Sequence, residues 1–136
     1  MRHRKKHLKF GKGTSYRKAL LSNLATELFR HRMIKTTYTK AKAVSSFAER
    51  LISFAKKQNL TSYRYVISHL KDKEVAKKLF VEIAKDYQYV PSGYTSILKL
   101  APRHGDASKM AVVFLKESKQ PPLPQKEEEE ESKTSS

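Results

Sequence analysis

Three groups of residues in this chain of 136 residues have types and spacings that could do chemistry. The first is a histidine pair. His3 and His7 stand four residues apart, a spacing that can present two imidazoles to one metal ion, but Arg4, Lys5 and Lys6 lie between them. These cations repel a divalent ion, and no Cys or acidic residue is nearby to complete its coordination. We therefore expect no metal site, and we expect both histidines to meet anions instead.

The second group, Gly11-Lys12-Gly13-Thr14, resembles the end of a phosphate-binding loop. The full pattern, GxxxxGK[ST], requires a glycine where Lys6 stands and a hydroxyl where Gly13 stands. No strand precedes the segment, whereas such a loop normally follows one. We interpret the segment as a flexible joint between the N-terminal residues and the first helix, because glycine adopts many backbone conformations.

The third group is the loop Arg103-His104-Gly105-Asp106. A histidine and an aspartate could join one of the serines in a hydrolase triad, which makes a small phosphate-ester enzyme one alternative. However, no serine lies in the context of a nucleophile elbow. The loop is more typical of a structured turn, in which Gly105 supplies an unusual backbone angle and Asp106 accepts from nearby amides. Arg103 and His104 would then face a partner, and we expect no catalysis.

The N-terminal segment is strongly basic and contains no acidic residue, because the first acidic residue of the chain is Glu27. The positive residues before it are Arg2, Arg4, Lys5, Lys6, Lys9, Lys12, Arg17 and Lys18. So few large aliphatic residues stand among them that burial cannot offset the entropy of ordering. We expect an extended arm that becomes ordered against an anionic partner, which indicates nucleic acid.

The charge of the whole chain supports the same partner. The formal net charge is +16, yet residues 1 to 118 alone carry +18, because five consecutive glutamates lie in the C-terminal segment. A field of this size attracts a polyanion and releases its condensed counterions. No apolar run approaches a membrane span, so we expect no membrane partner. The absence of Cys is typical of a reducing compartment, and nothing indicates a cofactor or a small-molecule substrate.

The hydrophobic pattern predicts a two-layer α/β domain in the order α-β-α-α-α-β-β, with helices packed on a small three-stranded mixed sheet. Thr14 or Ser15, then Thr39, and then Asp72 are the expected N-caps of three of these helices. The second helix is amphipathic, and its expected buried stripe is Val44, Ala48, Leu51, Ile52 and Ala55. The last two strands, joined by a polar loop, should be antiparallel. The predicted elements are a helix from about 14 to 31, a strand at 33–38, helices at 39–59, 61–70 and 72–87, and strands at 94–100 and 110–115.

This pattern divides the chain into three parts: a basic N-terminal arm (1–13), a globular domain that binds RNA (14–118) and a disordered tail rich in Pro and Glu (119–136). Tyr16, Tyr38 and Tyr94 lie near basic or turn positions and could stack on unpaired bases, whereas Phe47 and Phe54 fall on helix stripes and are expected in the core. Since recognition-helix and zinc-finger motifs are missing, RNA is favoured over DNA. A nucleoid-type DNA-binding protein remains the alternative.

Seven short stretches along residues 1 to 116 resemble the bacterial-type family of large ribosomal subunit protein seventeen. They are Met1–Lys5, Tyr16–Leu21 with Asn23–Ala25, Ile34–Thr37 with Lys40–Lys42, Ala48–Ile52, Lys78–Phe80, Gly93–Thr95 with Ile97–Lys99, and Arg103–Ala107 with Met110-Ala111. The resemblance implies a structural constituent of the large ribosomal subunit that binds large-subunit rRNA near the peptide exit. It also implies neighbouring ribosomal proteins as partners and no enzymatic activity.

The arm, the strand, the second helix and the hairpin loop supply the residues that we expect to bind RNA. These residues are Arg2, His3, Arg4, Lys5, Lys6, Lys9, Lys12, Tyr16, Arg17, Lys18, Lys35, Thr36, Thr37, Lys40, Lys42, Arg103 and His104. Two positions depart from the family pattern: Tyr16 replaces a frequent histidine, and Ser96 replaces a usual arginine, so no RNA contact is carried to Ser96. We expect a ribosome in the bacterial cytoplasm, with an organellar ribosome as the alternative.

Overall fold

The computed structural model describes residues 10–117. Six of the residues expected to bind RNA (Arg2, His3, Arg4, Lys5, Lys6 and Lys9) therefore lie outside the described residues, as do the whole acidic tail and the histidine pair. The residues expected on the first helix, the first strand, the second helix and the hairpin loop all lie within the described range.

The described residues form a helix, a strand, three further helices and two final strands, in that order. The first helix is α1 (Thr14–His31), followed by strand β1 (Met33–Thr37), helix α2 (Tyr38–Lys56) and helix α3 (Leu60–Leu70). The fourth helix begins as α4 (Lys73–Lys78), continues through a π-helical turn (Leu79–Ile83) and ends as α5 (Ala84–Asp86). Strands β2 (Thr95–Lys99) and β3 (Met110–Leu115) complete the domain.

Only one of the three predicted helix caps is confirmed. The Asp72 side chain caps the fourth helix, accepting from the amides of Glu74 at 3.0 Å and Val75 at 3.4 Å. Gly13 and Thr37 occupy the N-cap positions of α1 and α2 without a side-chain hydrogen bond, so the predicted caps at Thr14 and Thr39 are wrong. Neither helix has an acidic residue in its first turn, which leaves the positive ends of both helix dipoles uncompensated.

All three strands are antiparallel, in the spatial order β1-β3-β2. The prediction of a small three-stranded sheet beneath helices is confirmed, but that of a mixed sheet is wrong. Strands β1 and β2 run in the same direction, because each pairs antiparallel with β3, but they are not neighbours in the sheet. The more apolar β3 lies between the two, where it gains a partner on each side, so no parallel pair forms.

The helices cover one face of the sheet. The face that carries Ala111 and Val113, both fully buried, packs against the buried stripe of α2. The five predicted residues of that stripe, Val44, Ala48, Leu51, Ile52 and Ala55, are buried, and so is Ala41, which was not predicted. Side chains on the opposite face remain in solvent, including Met33 and Leu98, each more than half exposed. No helix within residues 10–117 is long and apolar enough to cross a membrane.

Tyr87 ties the end of the fourth helix to the end of β3. Its ring is buried against Tyr94, with 5.2 Å between ring centroids, and its hydroxyl donates to the carbonyl of Lys116. Burial raises the pKa of Tyr87 to about 12, because the phenolate would lose its hydration. The native state therefore holds this proton more tightly than the unfolded chain does.

We predict that Tyr87 makes the free energy of unfolding depend on pH above the ordinary pKa of tyrosine, about 10. A raised pKa gives a stabilisation that is complete below that pH and is lost as the pH rises toward about 12. Urea denaturation between pH 8 and pH 12 should show a shallower decline for Tyr87→Phe than for the wild type. Tyr89→Phe, at an exposed position, is the control, and parallel curves for all three proteins would contradict the prediction.

Candidate nucleic-acid interface

A groove of about 910 Å³ runs along the junction of α1, α2 and α3. Its volume lies in the range of roughly 300–1,000 Å³ that is typical of ligand sites. Helix α1 contributes Thr14, Arg17, Lys18 and Leu21, helix α2 contributes Lys42, Ala43, Ser46, Phe47 and Arg50, and the end of α3 contributes Ser68, His69 and Lys71. The groove therefore joins residues that lie more than fifty positions apart in the sequence.

Helical spacing explains which residues of α1 and α2 line the groove. Residues three and four apart lie on one face of a helix, so Thr14, Arg17 and Lys18 project together from the first turns of α1. In the same way, Ser46 and Arg50 continue the row begun by Lys42 on α2. Because Thr14 is the first residue of α1, the groove also receives the positive end of that helix dipole.

Two buried hydroxyl groups of α1 hold the end of α3 in place. Ser22 donates to the carbonyl of His69 at 2.5 Å, and the Thr26 hydroxyl, which donates to the carbonyl of Ser22, lies 3.3 Å from the carbonyl of Leu70. These carbonyls belong to the last turn of α3, where the helix offers them no amide. Lys71 then closes the helix with a φ of +59°, its amide donating to the carbonyl of Ile67.

The groove carries a high positive charge. Five of its lining residues are cationic (Arg17, Lys18, Lys42, Arg50 and Lys71), and none of the lining residues is acidic. Within residues 10–117 none of the five makes a salt bridge. The buried Nε of Arg17 also has no hydrogen-bond acceptor within that range. No carboxylate of the described residues therefore neutralises these five cations.

Carboxylates of the described domain are engaged elsewhere. Arg30 binds both Glu27 at 2.6 Å and Asp72 at 2.8 Å, at the opposite end of α1 from the groove opening. Arg32 binds Asp86 at 3.0 Å. Glu49, although next to Arg50 in sequence, accepts from the hydroxyl of Thr95 on β2. Glu27, Asp72 and Asp86 thus neutralise cations that do not line the groove.

A second cationic feature adjoins the groove at the start of α2. The ammonium groups of Lys42 and Lys99 lie 4.6 and 4.9 Å from the ring centroid of Tyr38, within cation–π distance. Lys40 is half-buried nearby in the first turn of α2. The sequence predicted Lys40 and Lys42 in this region but missed Lys99, which reaches Tyr38 only because β2 and β1 flank the same central strand.

The strand β1 divides its three expected contact residues between two faces. Thr36 pairs with buried Ala111 and therefore points toward the helices, whereas Lys35 and Thr37 alternate with it and belong to the open face. Lys35 is fully in solvent on that face. Sequence spacing placed the three residues in one group, and the pleat of the strand separates them.

The remaining expected contacts are dispersed. Lys12 and Tyr16 lie together before the groove, with the ammonium group 5.4 Å from the ring centroid, and Tyr16 is half exposed. Arg103 is instead paired with Asp106 through two nitrogen atoms, at 2.5 and 3.2 Å. Together with the amide and hydroxyl of Ser108, this guanidinium holds the pKa of Asp106 well below its usual range. His104 is exposed in the same turn.

The structure also corrects which aromatic residues can meet a base. Tyr94 is buried and its hydroxyl donates to the carbonyl of Pro91, so the expectation that it could stack on RNA is wrong. Phe47, expected in the core, lines the groove on one side. Arg50, His69 and Lys71 were missed altogether. The one available signal in the sequence was that Lys42, Ser46 and Arg50 follow one another at intervals of four residues.

Metal binding has no support within residues 10–117, where no group of three potential ligands converges. His104 and Asp106, the residues considered for a triad, lie in an exposed turn away from the groove, and Asp106 is occupied by Arg103. What the groove offers is a row of unpaired cations above an apolar floor. Such an arrangement is suited to a ligand with both phosphates and flat apolar groups.

A family model and individual relatives of the chain all indicate the same protein family. The family model described as ribosomal protein L17 matches residues 20–116. Proteins named large ribosomal subunit protein bL17 from Halothermothrix orenii and Dictyoglomus thermophilum are 50% and 46% identical, covering 80% and 85% of this chain and 96% and 99% of their own lengths. The protein of the same name from Methylacidiphilum infernorum is 44% identical over 96% of this chain and all of its own length.

We predict that Ser22→Ala weakens the junction of α1 and α3. The carbonyls at the end of α3 would lose a buried donor, which costs about 1 to 3 kcal/mol in the free energy of unfolding. Urea denaturation measures the change, and Ser53→Ala at an exposed position of α2 should stay within about 0.5 kcal/mol of the wild type. A Ser22→Ala protein as stable as the Ser53→Ala control would show that the hydroxyl does not hold the groove together.

Proposed function

The chain belongs to the ribosomal protein L17 family, whose members are structural and non-enzymatic, and from this premise we propose that it is a structural constituent of the large ribosomal subunit. In our proposal it binds and stabilises large-subunit rRNA near the peptide exit region. The domain supplies a fixed cationic groove, and the basic segment before it adds further phosphate contacts. Neighbouring large-subunit proteins and rRNA are its partners.

One observation carries the proposal: the segregation of charge within the described domain. Carboxylates neutralise Arg30, Arg32 and Arg103, whereas the groove cations Arg17, Lys42 and Arg50 have no acidic partner among residues 10–117. Like charges held this close repel one another and lower the stability of the folded domain. Binding of phosphates relieves this repulsion and releases counterions from the RNA, so both effects favour the complex.

RNA fits the groove better than a small anion does. The positive residues extend from Lys12 through the groove to Lys99, over three helices and the edge of the sheet, which is too long for a single phosphate. Phosphates repeat along a nucleic-acid strand and can meet such a row one after another. Arg17 and Arg50 add planar guanidinium groups, which bind phosphate oxygens in pairs.

The N-terminal residues extend this surface. Arg2, Arg4, Lys5, Lys6 and Lys9 precede Lys12, whose ammonium group already lies against Tyr16 beside the groove. We propose that residues 1–13 follow the RNA as an arm while the domain fixes their starting point. The ribosome that we propose is that of a bacterial cytoplasm, in keeping with the bacterial relatives.

We predict that the groove sets much of the salt dependence of RNA binding. In Lys18→Gln/Lys42→Gln/Arg50→Gln three phosphate contacts are lost, so the slope of log K against log salt should fall by about 2 to 3, at 0.7–0.9 for each contact. Filter binding of intact large-subunit rRNA at several salt concentrations measures the slope.

The matched control for the groove variant is Lys73→Gln/Lys77→Gln/Lys85→Gln, which removes the same charge from exposed positions on the fourth helix. Its slope should change by less than half as much. Equal losses in the two variants would mean that net charge alone drives binding and would contradict a groove-specific contact. Tighter binding of duplex DNA than of rRNA in direct competition would favour a nucleoid-type protein instead.

We predict that the arm acts through its charge. Replacing Arg2, Arg4, Lys5, Lys6, Lys9 and Lys12 by Gln should lower the salt slope by about 4 to 5 on the same scale, while the chain keeps its length. Deletion of residues 2–12 should give a similar slope. If the Gln variant kept the wild-type affinity and slope, the arm would have no role in phosphate binding.

A further inference from the structure

We propose that the groove binds one unpaired nucleotide of large-subunit rRNA. The base of this nucleotide stacks on Phe47 and His69, and its phosphate binds to the cationic residues that line the groove. This inference rests on the proposed function and refines it. Phosphate contacts alone would suit any folded RNA, whereas a stacked base requires a nucleotide that is looped out of a helix.

A column of aromatic rings between α2 and α3 points to this role. Phe54 stacks on Tyr65 with ring centroids 4.1 Å apart, Tyr65 lies 4.3 Å from His69, and His69 lies 5.8 Å from Phe47. The two rings of α3, Tyr65 and His69, are one turn apart and lie between the two rings of α2, Phe54 and Phe47, which are two turns apart.

The two ends of the column differ. At the Phe54 end the ammonium group of Lys57 covers the ring, 4.9 Å from its centroid. At the other end Phe47 and His69 form part of the groove wall. Within the described residues no ring of the domain continues the column into the groove. A planar base that entered the groove would become its next member.

Hydrogen bonds hold the His69 ring in a fixed orientation before any ligand binds. Its Nδ1 lies 2.9 Å from the carbonyl of Tyr65 and 3.1 Å from the hydroxyl of Ser68, so two polar neighbours position the ring. The carbonyl of His69 is held in turn by Ser22 of α1. A stacking surface that is ordered in advance loses little entropy on binding, which favours a base over a flexible apolar side chain.

The polar residues that line the groove favour a nucleotide over other flat ligands. Arg17 and Arg50 line opposite sides of the groove, and Thr14, Ser46 and Ser68 add hydroxyl groups. A nucleotide presents a phosphate, a ribose and a base, which match guanidinium, hydroxyl and aromatic groups respectively. An apolar peptide segment would leave the cations without a counter-charge.

The test compares two RNA hairpins with the same stem, one fully paired and one with a single bulged 2-aminopurine nucleotide. Stacking of one base should make the full-length wild type bind the bulged hairpin about 5- to 100-fold more tightly and should quench its fluorescence. Phe47→Leu should lose this preference, and Phe47→Trp should keep it. Phe54→Leu is the matched control, because it makes the same change in the same column away from the groove.

A second variant tests the base site even if Phe47→Leu fails to fold. Ser46 is exposed and lines the groove, so Ser46→Trp should block entry of the base without disturbing the core. It should bind both hairpins equally. Retention of the bulge preference by both Phe47→Leu and Ser46→Trp, with thermal unfolding that shows both to be folded, would overturn the inference.

Binding of a mononucleotide separates this inference from the proposed function. Adenosine 5′-monophosphate should shift the ring proton resonances of Phe47 and His69 in the wild type, whereas ribose 5-phosphate should not. If the hairpins bind with the expected salt slope but the bulge adds no affinity and the rings do not shift, rRNA binding stands and the base site is refuted. If the rings shift with the mononucleotide while rRNA binding shows no salt dependence, the base site stands and the phosphate proposal fails.

Discussion

The constraint that shapes this domain is a concentration of positive charge that no carboxylate within residues 10–117 neutralises. Arg17, Lys42 and Arg50 are held along one groove by helices that pack through an apolar stripe and through the Ser22 and Thr26 hydroxyls. The fold places its acidic residues where they neutralise Arg30 and Arg32 instead. The domain therefore tolerates a concentration of positive charge that would attract a polyanion, and in our account that polyanion is ribosomal RNA.

Much of the fold was predictable because local patterns determined it. The stripe of α2 has helical periodicity over three turns, and the Asp72 cap precedes an apolar run, so both were predicted correctly. The strand order was not predictable, since local propensity cannot tell which strand will take the centre of a sheet. The π-helical turn at Leu79–Ile83 left no trace in the spacing either, and there Gln58 donates to the carbonyl of Phe80.

The candidate site was only partly predictable from the sequence. Arg17, Lys18 and Lys42 were expected from their basic context, and the structure brings them together in one groove. The same reasoning included Arg103 among the RNA-binding residues, but its guanidinium is paired with Asp106 in the loop between β2 and β3. Side chains that belong to both core and groove, such as Phe47, cannot be assigned from periodicity alone, because an inward-facing position does not show where the packing ends.

The most direct measurement of the central claim is a density map of the large ribosomal subunit that contains this chain. Our account predicts rRNA phosphates within about 4 Å of the groove cations, where a charge-assisted hydrogen bond or ion pair can form. It also predicts that the exposed lysines of the fourth helix lie farther from the RNA than the groove does. A map in which the groove of α1, α2 and α3 faces open solvent or a neighbouring protein would contradict the account.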